Sequence, residues 1–485
     1  MGNNYQTLAI FDITGEGSGV GRTADGLTVF VPGAVPGDTV RCEIVHRKKR
    51  FAQARLISIE QASPDRIDPF CEYLDLCGGC RFGLMDYEAQ LRVKHKMVVD
   101  ALTRIGGLAD PDVAGIISME SEPFRYRNKA VMHAAPGVKS ASTGSTRTAV
   151  GFMKSGSHTV IDCKDCLLQS PAAAAAAKVL RKYCAHSGMG DHIKGMTVRT
   201  GSGTGEVMAI VSADVKELPD VEEFVEMLDN AVYQCGFASS FSGEISDDTG
   251  APLTLESVFL EQIISGKRKM IKVAGKNTIR TKLGDAVFEI SPESFWQVNS
   301  VQAKKLYDTV FELATPAAGE KVLDIYCGVG SIGLYISKLM NDSIDLIGIE
   351  SNRQAVLNAN RNAVINGLVR PRFHAGAAEK LLPELLESGT DVSGAGLAIV
   401  DPPRAGCDPV LLDALIELKP ERIVYVSCAP ATLARDVKYL TQGGYSFVKA
   451  IPVDMFPNTG HVETVALLGG EIVDGYVDVN LDAAN

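Results

Sequence analysis

No apolar run in the 485-residue chain approaches membrane-spanning length. The amino terminus has no basic stretch leading into an apolar one, so no secretory leader is expected and the chain reads as cytoplasmic. No internal repeat is present, which excludes solenoids and propellers. Positive charge is in deficit: 48 Lys and Arg stand against 59 Asp and Glu, a net charge of −11. That balance argues against indiscriminate polyanion binding and leaves room for a local basic face. No Walker lysine occurs, so a P-loop phosphate cradle is not expected. Cysteine is not scarce. There are 11, an odd number in a chain far too long for a disulfide scaffold. Reduced thiols serving a metal or catalysis fit better. The length predicts about two to four domains.

Residues 1–60 alternate apolar and polar side chains between glycine-rich turns, as in Leu8–Ile13, Leu27–Val31, Asp38–Val45 and Ala52–Ile57. Short strands at this density predict a small β-barrel of the oligonucleotide-binding kind. His46-Arg-Lys-Lys-Arg50 lies between its last two strands, next to Phe51. A positive loop with an aromatic suits single-stranded nucleic acid, although most charge runs are solvated hairpin tips.

Next comes Cys71-x5-Cys77-Gly-Gly-Cys80, three close thiols that want a fourth from Cys163 or Cys166. Four thiolates suit zinc or an iron–sulfur cluster, and the distant fourth ligand tilts the reading toward the cluster. A helical pattern runs from about Phe82 to Leu108 and stops at Gly106-Gly107. Phe124-Arg-Tyr-Arg-Asn-Lys129 reads as one strand carrying three cations and two aromatics, suited either to RNA or to a charged sheet edge. Residues 130–280 read as an irregular β-rich region with helices after Pro171 and over Glu222–Ala231, and 137–148 as an exposed loop.

From Glu320 onward apolar strands alternate with helices, which predicts a doubly wound, mostly parallel α/β sheet. The first turn, Asp324-Ile-Tyr-Cys-Gly-Val-Gly330, is glycine-rich, and Glu350 ends the next strand. An acid there can accept both ribose hydroxyls of an adenosine. Adenosine without pyrophosphate points to S-adenosylmethionine. Asp401-Pro-Pro-Arg404 ends another strand at the same rim, where it could hold the amino end of the donor or a flat base. An arginine rather than an aromatic follows the prolines, which leans from nitrogen toward carbon methylation. Cys428 closes the strand Ile423–Ser427, just before a helix from about Leu433 to Leu440, whose amino end favours a thiolate. Uracil C5 is a poor nucleophile until a thiolate adds at C6, and a base must then remove the C5 proton. Glu463, at the start of the last strand, is the candidate base, with His461 competing.

Together these residues resemble the RNA uracil-C5 methyltransferase family, in its bacterial ribosomal RNA branch with a TRAM domain and a [4Fe-4S] cluster. Gly15–Val20 with Val29–Ala34 resembles TRAM, Ser-Cys428-Ala-Pro the nucleophile motif, and His-Val-Glu463-Thr the base motif. Ser294-Phe-Trp-Gln297-Val-Asn299 resembles the segment leading into the donor fold. The resemblance implies cluster ligands Cys71, Cys77, Cys80 and Cys166. It implies donor contacts Gln297, Tyr326, Glu350 and Asp401, with Cys428 as nucleophile and Glu463 as base. It implies a TRAM barrel over 1–60, a central iron–sulfur domain over 61–280, a S-adenosylmethionine-dependent methyltransferase domain over 281–475 and a tail at 476–485. The helix after Cys80 should pack on the catalytic domain. The expected substrate is 23S ribosomal RNA, with tRNA as the alternative, and the expected assembly is a monomer. Two features depart from the pattern. Gly376-Ala-Ala378 supplies no acid before Glu379, and the chain is acidic for a ribosomal RNA binder. A non-catalytic RNA-binding protein and a redox protein built on the cluster are the readings from other classes.

Overall fold

A computed structural model describes residues 4–139, 146–242, 252–389 and 391–470. The tail expected at 476–485 and residues 140–145 of the expected loop lie outside the described residues. The backbone packs into two compact units. The first comprises Met1–Lys94, Ser118–Lys304 and Asp454–His461; the second comprises His95–Ile117, Lys305–Val453 and Val462–Asn485.

In the first unit, β1 (Tyr5–Ile13), β2 (Ser18–Arg22), β3 (Thr28–Pro32), β4 (Thr39–Arg47) and β5 (Phe51–Gln61) close a barrel in the order β1-β2-β3-β5-β4. Alternation turns Leu8, Ile10, Val29, Val31, Val40, Cys42, Ala52 and Ala54 inward to fill it. Asp38 anchors the end of the barrel. Fully buried, it accepts the amides of Val35 (2.8 Å) and Ser63 (2.9 Å) and the Arg66 guanidinium (2.6 Å). The basic run is the exposed β4–β5 hairpin, where Lys48 Nζ lies 5.2 Å from the centre of the Phe51 ring.

Helix α1 (Tyr87–Arg104) begins later than the apolar pattern predicts, because the Asp86 carboxylate accepts the Ala89 amide (2.7 Å) and caps it there. The expected strand at 124–129 is corrected: only Lys129 belongs to one. Arg125 takes a left-handed backbone (φ 54°), and its guanidinium grips Asp165 with two bonds of 2.8 and 2.6 Å. Tyr126 is buried and donates to the Pro457 carbonyl (2.9 Å), while Arg127 stacks over Tyr126 and Phe456. These cations and rings hold the fold together rather than lining an open strand.

The region expected to be irregular is an ordered sheet. Its elements are β6 (Lys129–Lys139), β7 (Thr146–Met153), β8 (Val160–Asp162), α2 (Pro171–Ser187), β9 (Ile193–Thr200), β10 (Glu206–Ala213), α3 (Val221–Ser242), β11 (Thr254–Ile264) and β12 (Lys267–Gly275). The order is β12-β11-β10-β9-β6-β7-β8. Residues 137–139 and 146–148 of the expected loop are strand. Ala172, Ala173, Ala176 and Ala177 of α2 are buried with Met196 and Val198 of β9, so the alanine run lets the helix lie close to the sheet. A hairpin, β13 (Ile279–Leu283) with β14 (Ala286–Ile290), precedes α4 (Ser300–Ala314). Residues 454–461 are tied into this unit by buried polar contacts. Lys94 meets Asp454 (2.5 Å), Gln302 donates to the Asp454 carbonyl (3.1 Å), and Asn299 donates to that of Met455 (3.1 Å).

The second unit carries β15 (Lys321–Ile325), α5 (Ser331–Leu339), β16 (Asp345–Glu350), α6 (Arg353–Ile365), β17 (Arg372–Ala375), α7 (Ala378–Glu387), β18 (Leu397–Val400), α8 (Pro409–Leu418), β19 (Arg422–Ser427), α9 (Pro430–Gln442), β20 (Ser446–Val453) and β21 (Glu463–Gly469). Sheet order is β17-β16-β15-β18-β19-β21-β20, parallel through β19, with β21 antiparallel to both neighbours. This is the expected doubly wound sheet, and its inner parallel strands, β16, β15, β18 and β19, are buried on both faces, hence their mostly apolar runs. Val98, Ala101 and Leu102 at the end of α1 sit in the same core as Ile423, Tyr425 and Ala466.

Candidate active site

Four expected site residues fall at the carboxyl ends of neighbouring strands in the second unit, where open α/β sheets bind ligands. Tyr326 follows β15, Glu350 ends β16, Asp401 follows β18 and Cys428 follows β19. Tyr326 takes a left-handed backbone (φ 65°), and its amide and that of Cys327 both donate to the Ile349 carbonyl (2.9 and 3.1 Å). This strained turn pins the glycine loop to β16. Glu350 receives the Gly328 amide (3.1 Å) and the Asn352 amide (2.7 Å), which aim its carboxylate across that loop. Glu379 bears electrostatically on Tyr326 from the start of α7, so an acid does reach this rim after β17.

Beneath the loop lies Asp324, fully buried within β15. One of its oxygens accepts the Gly333 amide (2.9 Å) and the other has no partner among the described residues. Burial, with Glu350 adding repulsion, pushes it up to about 7. Asp401 rises to about 7 through burial and the charge of Asp324. The rim thus holds carboxyls crowded beyond their ordinary ionisation, a setting that a cationic ligand relieves.

Cys428 and Glu463 meet through strand register. The β19–β21 ladder runs from Arg422 opposite Gly469 to Ser427 opposite Thr464, and one further step sets Cys428 opposite Glu463. Glu463 is 4% exposed. Burial first, then the charge of Asp401, pushes it up to about 8, against a lowering by Arg404. The helix end expected to favour a thiolate is opposed in the free protein. Burial and then the Glu463 charge raise the Cys428 thiol, and Arg404 opposes them only in part. A helix end contributes a fraction of a charge, less than a buried carboxylate nearby.

Gln297 and His461 belong to the first unit. Gln297 is buried, and its carbonyl accepts from the Asn128 amide group (3.0 Å). The His461 ring lies edge-on to Phe456, 6.1 Å between centres. In the same unit, Cys71, Cys77, Cys80, Cys163 and Cys166 come within electrostatic reach of one another. Burial, then Cys166, Cys77 and Cys71, drive Cys80 up to about 12, and Cys163 rises to about 12 through burial, Cys166, Cys71 and Cys77. Cys163 Sγ donates to the Asp165 carbonyl (3.2 Å), whereas Cys166 receives the backbone amides of Leu168 and Gln169. Among the described residues, no three His, Cys, Asp or Glu side chains are spaced to hold a metal ion. No helix among them is long and apolar enough to cross a membrane.

Sequence reasoning missed Arg404 as a counter-charge to both Cys428 and Glu463, and missed Tyr425 and Asp436 behind the site. The signal for Asp436 was an acid on the apolar face of α9, flanked by Leu433, Ala434, Val437 and Leu440.

Comparison with known proteins bears on this arrangement directly. Residues 260–470 match the model of the tRNA (uracil-5-)-methyltransferase family, and residues 3–57 match the TRAM domain. A protein of Halalkalibacterium halodurans described as an uncharacterized RNA methyltransferase is 35% identical over 474 residues, 96% of this chain and 97% of that protein. One from Caldanaerobacter subterraneus, described in the same words, is 37% identical over 476 residues, 96% of this chain and 98% of its own length. Among solved structures, the Pyrococcus abyssi tRNA (uracil-54, C5)-methyltransferase in complex with S-adenosyl-L-homocysteine superposes with a TM-score of 0.71 at 28% identity, covering 96% of this chain and all of that one. The chain belongs to the RNA uracil-C5 methyltransferase family, with a TRAM domain at its amino-terminal end.

Proposed function

We propose that the protein uses S-adenosylmethionine to methylate uridine C5 in RNA, 23S ribosomal RNA before tRNA, giving 5-methyluridine through a covalent adduct with Cys428. The observation that carries this reading is the β19–β21 register, which ends with Ser427 opposite Thr464 and leaves Cys428 within electrostatic reach of Glu463, at the rim that holds Tyr326, Glu350 and Asp401. The Cys428 thiol releases its proton to solvent, the resulting thiolate adds to C6 of a flipped-out uracil, and the electrons of the C5–C6 double bond move to C5. C5 attacks the donor methyl carbon while the methyl–sulfur bond breaks and leaves a neutral thioether. Glu463 takes the C5 proton, the double bond re-forms and the thiolate departs. A carboxyl pushed up to about 8 suits that step, since a base works best near the ambient pH. Crowded acids at Asp324 and Asp401 favour a sulfonium cation. Gln297 joins Tyr326, Glu350 and Asp401 as a donor contact on the family resemblance. On this reading the protein acts as a monomer in the cytoplasm, in ribosomal RNA processing.

The same reading gives Cys71, Cys77, Cys80 and Cys166 a [4Fe-4S] cluster. Their donor set is all sulfur, as such a centre requires; burial raises the Cys166 thiol and the Leu168 and Gln169 amides oppose that rise, whereas Cys163 Sγ donates to the Asp165 carbonyl. The cluster takes no part in the steps above.

RNA carrying 5-fluorouridine tests the chemistry, because fluorine at C5 cannot leave as a proton. Incubation with donor should give a covalent complex that survives denaturation, and Cys428→Ala should give none. Equal trapping by Cys428→Ala overturns the mechanism. Mass mapping of 5-methyluridine in RNA from a deletion strain tests the substrate, with loss from 23S RNA expected and loss from tRNA alone refuting it.

A further inference from the structure

Behind the site lies a buried polar knot in the second unit that the reaction above does not use. Asp436, on α9, is 1% exposed. Its Oδ2 accepts the Tyr425 hydroxyl (2.7 Å) and the Cys407 amide (2.8 Å), and its Oδ1 accepts Arg435 Nε (2.7 Å). Arg435 then donates to the carbonyls of Ala405 (2.9 Å) and Cys407 (3.3 Å), and Thr432 Oγ1 to that of Arg404 (3.3 Å). Gly406, at φ 79°, leaves room for this: a Cβ there would stand 2.4 Å from Arg435 Nη2 and 2.5 Å from Asp436 Oδ2.

Three chain segments converge on one carboxylate. Tyr425 lies three residues before Cys428 on β19. Asp436 lies on the helix that follows Cys428. Cys407 closes the loop that carries Asp401 and Arg404, the acid and the cation whose charges reach both Cys428 and Glu463. Resting on the reading above, we propose that Asp436 is a positioning residue: it holds the 404–407 end of the loop against the strand and helix of the nucleophile, and so sets where Arg404 stands relative to Cys428 and Glu463, while the Asp401 amide is held separately by the Ile325 carbonyl (3.2 Å). A purely structural acid on this face has no need to gather both the loop amide and the tyrosine of the nucleophile strand. Burying a charged knot where apolar packing would serve is otherwise a poor route to stability.

The test measures methyl transfer to RNA, donor affinity by calorimetry, and the rate at which iodoacetamide alkylates Cys428, read on the Cys428 peptide by mass spectrometry. Asp436→Ala should keep donor affinity within about threefold, lower kcat at least about tenfold and change the Cys428 alkylation rate at least about threefold. Asp436→Asn, which still accepts two of the bonds, should recover part of both rates, and Tyr425→Phe should fall between it and wild type. A kcat within about twofold of wild type in Asp436→Ala overturns the proposal. So does a loss of donor affinity and turnover in equal proportion, or an unchanged alkylation rate. Should Asp436→Ala not fold, Asp436→Asn and Tyr425→Phe decide by the same readouts. A wild-type protein that methylates no RNA sinks the functional reading alone, because the alkylation comparison needs no RNA.

Discussion

Replacing Glu463 with glutamine should stabilise the protein while stopping its turnover, and the size of the first effect follows from the site. The carboxyl is buried and pushed from an ordinary 4.5 up to about 8. Below pH 4.5 it is protonated folded or unfolded, and its contribution is fully present. As pH rises through 8 the unfolded chain releases the proton first, so folded stability falls and then levels off. A displacement of 3.5 units at about 1.4 kcal/mol each sets a ceiling of about 5 kcal/mol between those limits. Between pH 5 and 8 the stability of Glu463→Gln relative to wild type should therefore grow by about 2–4 kcal/mol, allowing for relaxation and water entry. Any fixed cost of burying the amide drops out of that difference. Urea unfolding followed by far-ultraviolet circular dichroism measures it. Tryptophan fluorescence would not serve, since the sole tryptophan, Trp296, belongs to the first unit. With fluorine-free RNA and donor, the same variant should accumulate the methylated adduct instead of releasing product. Parallel stability–pH curves for the two proteins would refute the electrostatic account of Glu463.

Anaerobic reconstitution with iron and sulfide should give the broad absorption near 400 nm expected of an iron–sulfur centre, about four irons per chain, lost in Cys77→Ala and kept in Cys163→Ala. Metal content and spectrum check this, and a Cys163→Ala protein that fails to load would exchange the roles of Cys163 and Cys166. In the barrel, burial alone would raise Asp38, but the Arg66 guanidinium and two amides outweigh it and hold it below the usual range. Its contribution is thus present above the ordinary carboxylate pKa and lost as pH falls through the lowered one. Asp38→Ala should cost about 3–5 kcal/mol by leaving Arg66 and two amides unpaired. Thermal unfolding of the full chain reads that loss, and a change under about 1 kcal/mol would show that the knot at Asp38 holds nothing together.

Where a segment's local signals agree with its packing, the sequence was legible. The barrel strands alternate because one face is core, and β15, β16, β18 and β19 are mostly apolar because both faces are. Glu463, expected at the start of the last strand, does open β21. Legibility failed where tertiary partners decide. Arg125 and Tyr126 look like an exposed recognition strand until Asp165 and the Pro457 carbonyl, far along the chain, claim them. Helix α1 was given too early a start because the Asp86 cap was overlooked. Cys428 followed the same rule. A nearby helix end is visible in sequence, whereas the burial that raises the thiol, and the Glu463 and Asp401 charges that add to it, are supplied by the fold.

The reversed last strand is what makes nucleophile and base neighbours. Cys428 follows the carboxyl end of β19, while Glu463 opens β21. Were β21 parallel to β19, a residue at its start would lie beside Arg422, at the far edge of the sheet. The six residues of β19 span about 20 Å at a rise of about 3.3 Å per residue, beyond any side-chain reach. Antiparallel insertion between β19 and β20 removes that distance in one step. It also buries Glu463, because the same strand pairs on its other side, with Val453 opposite the acid. One topological choice thus supplies both the proximity of the acid to the thiol and the burial that lifts it toward neutral pH. A parallel β21 would have left it a solvated carboxylate on the wrong rim.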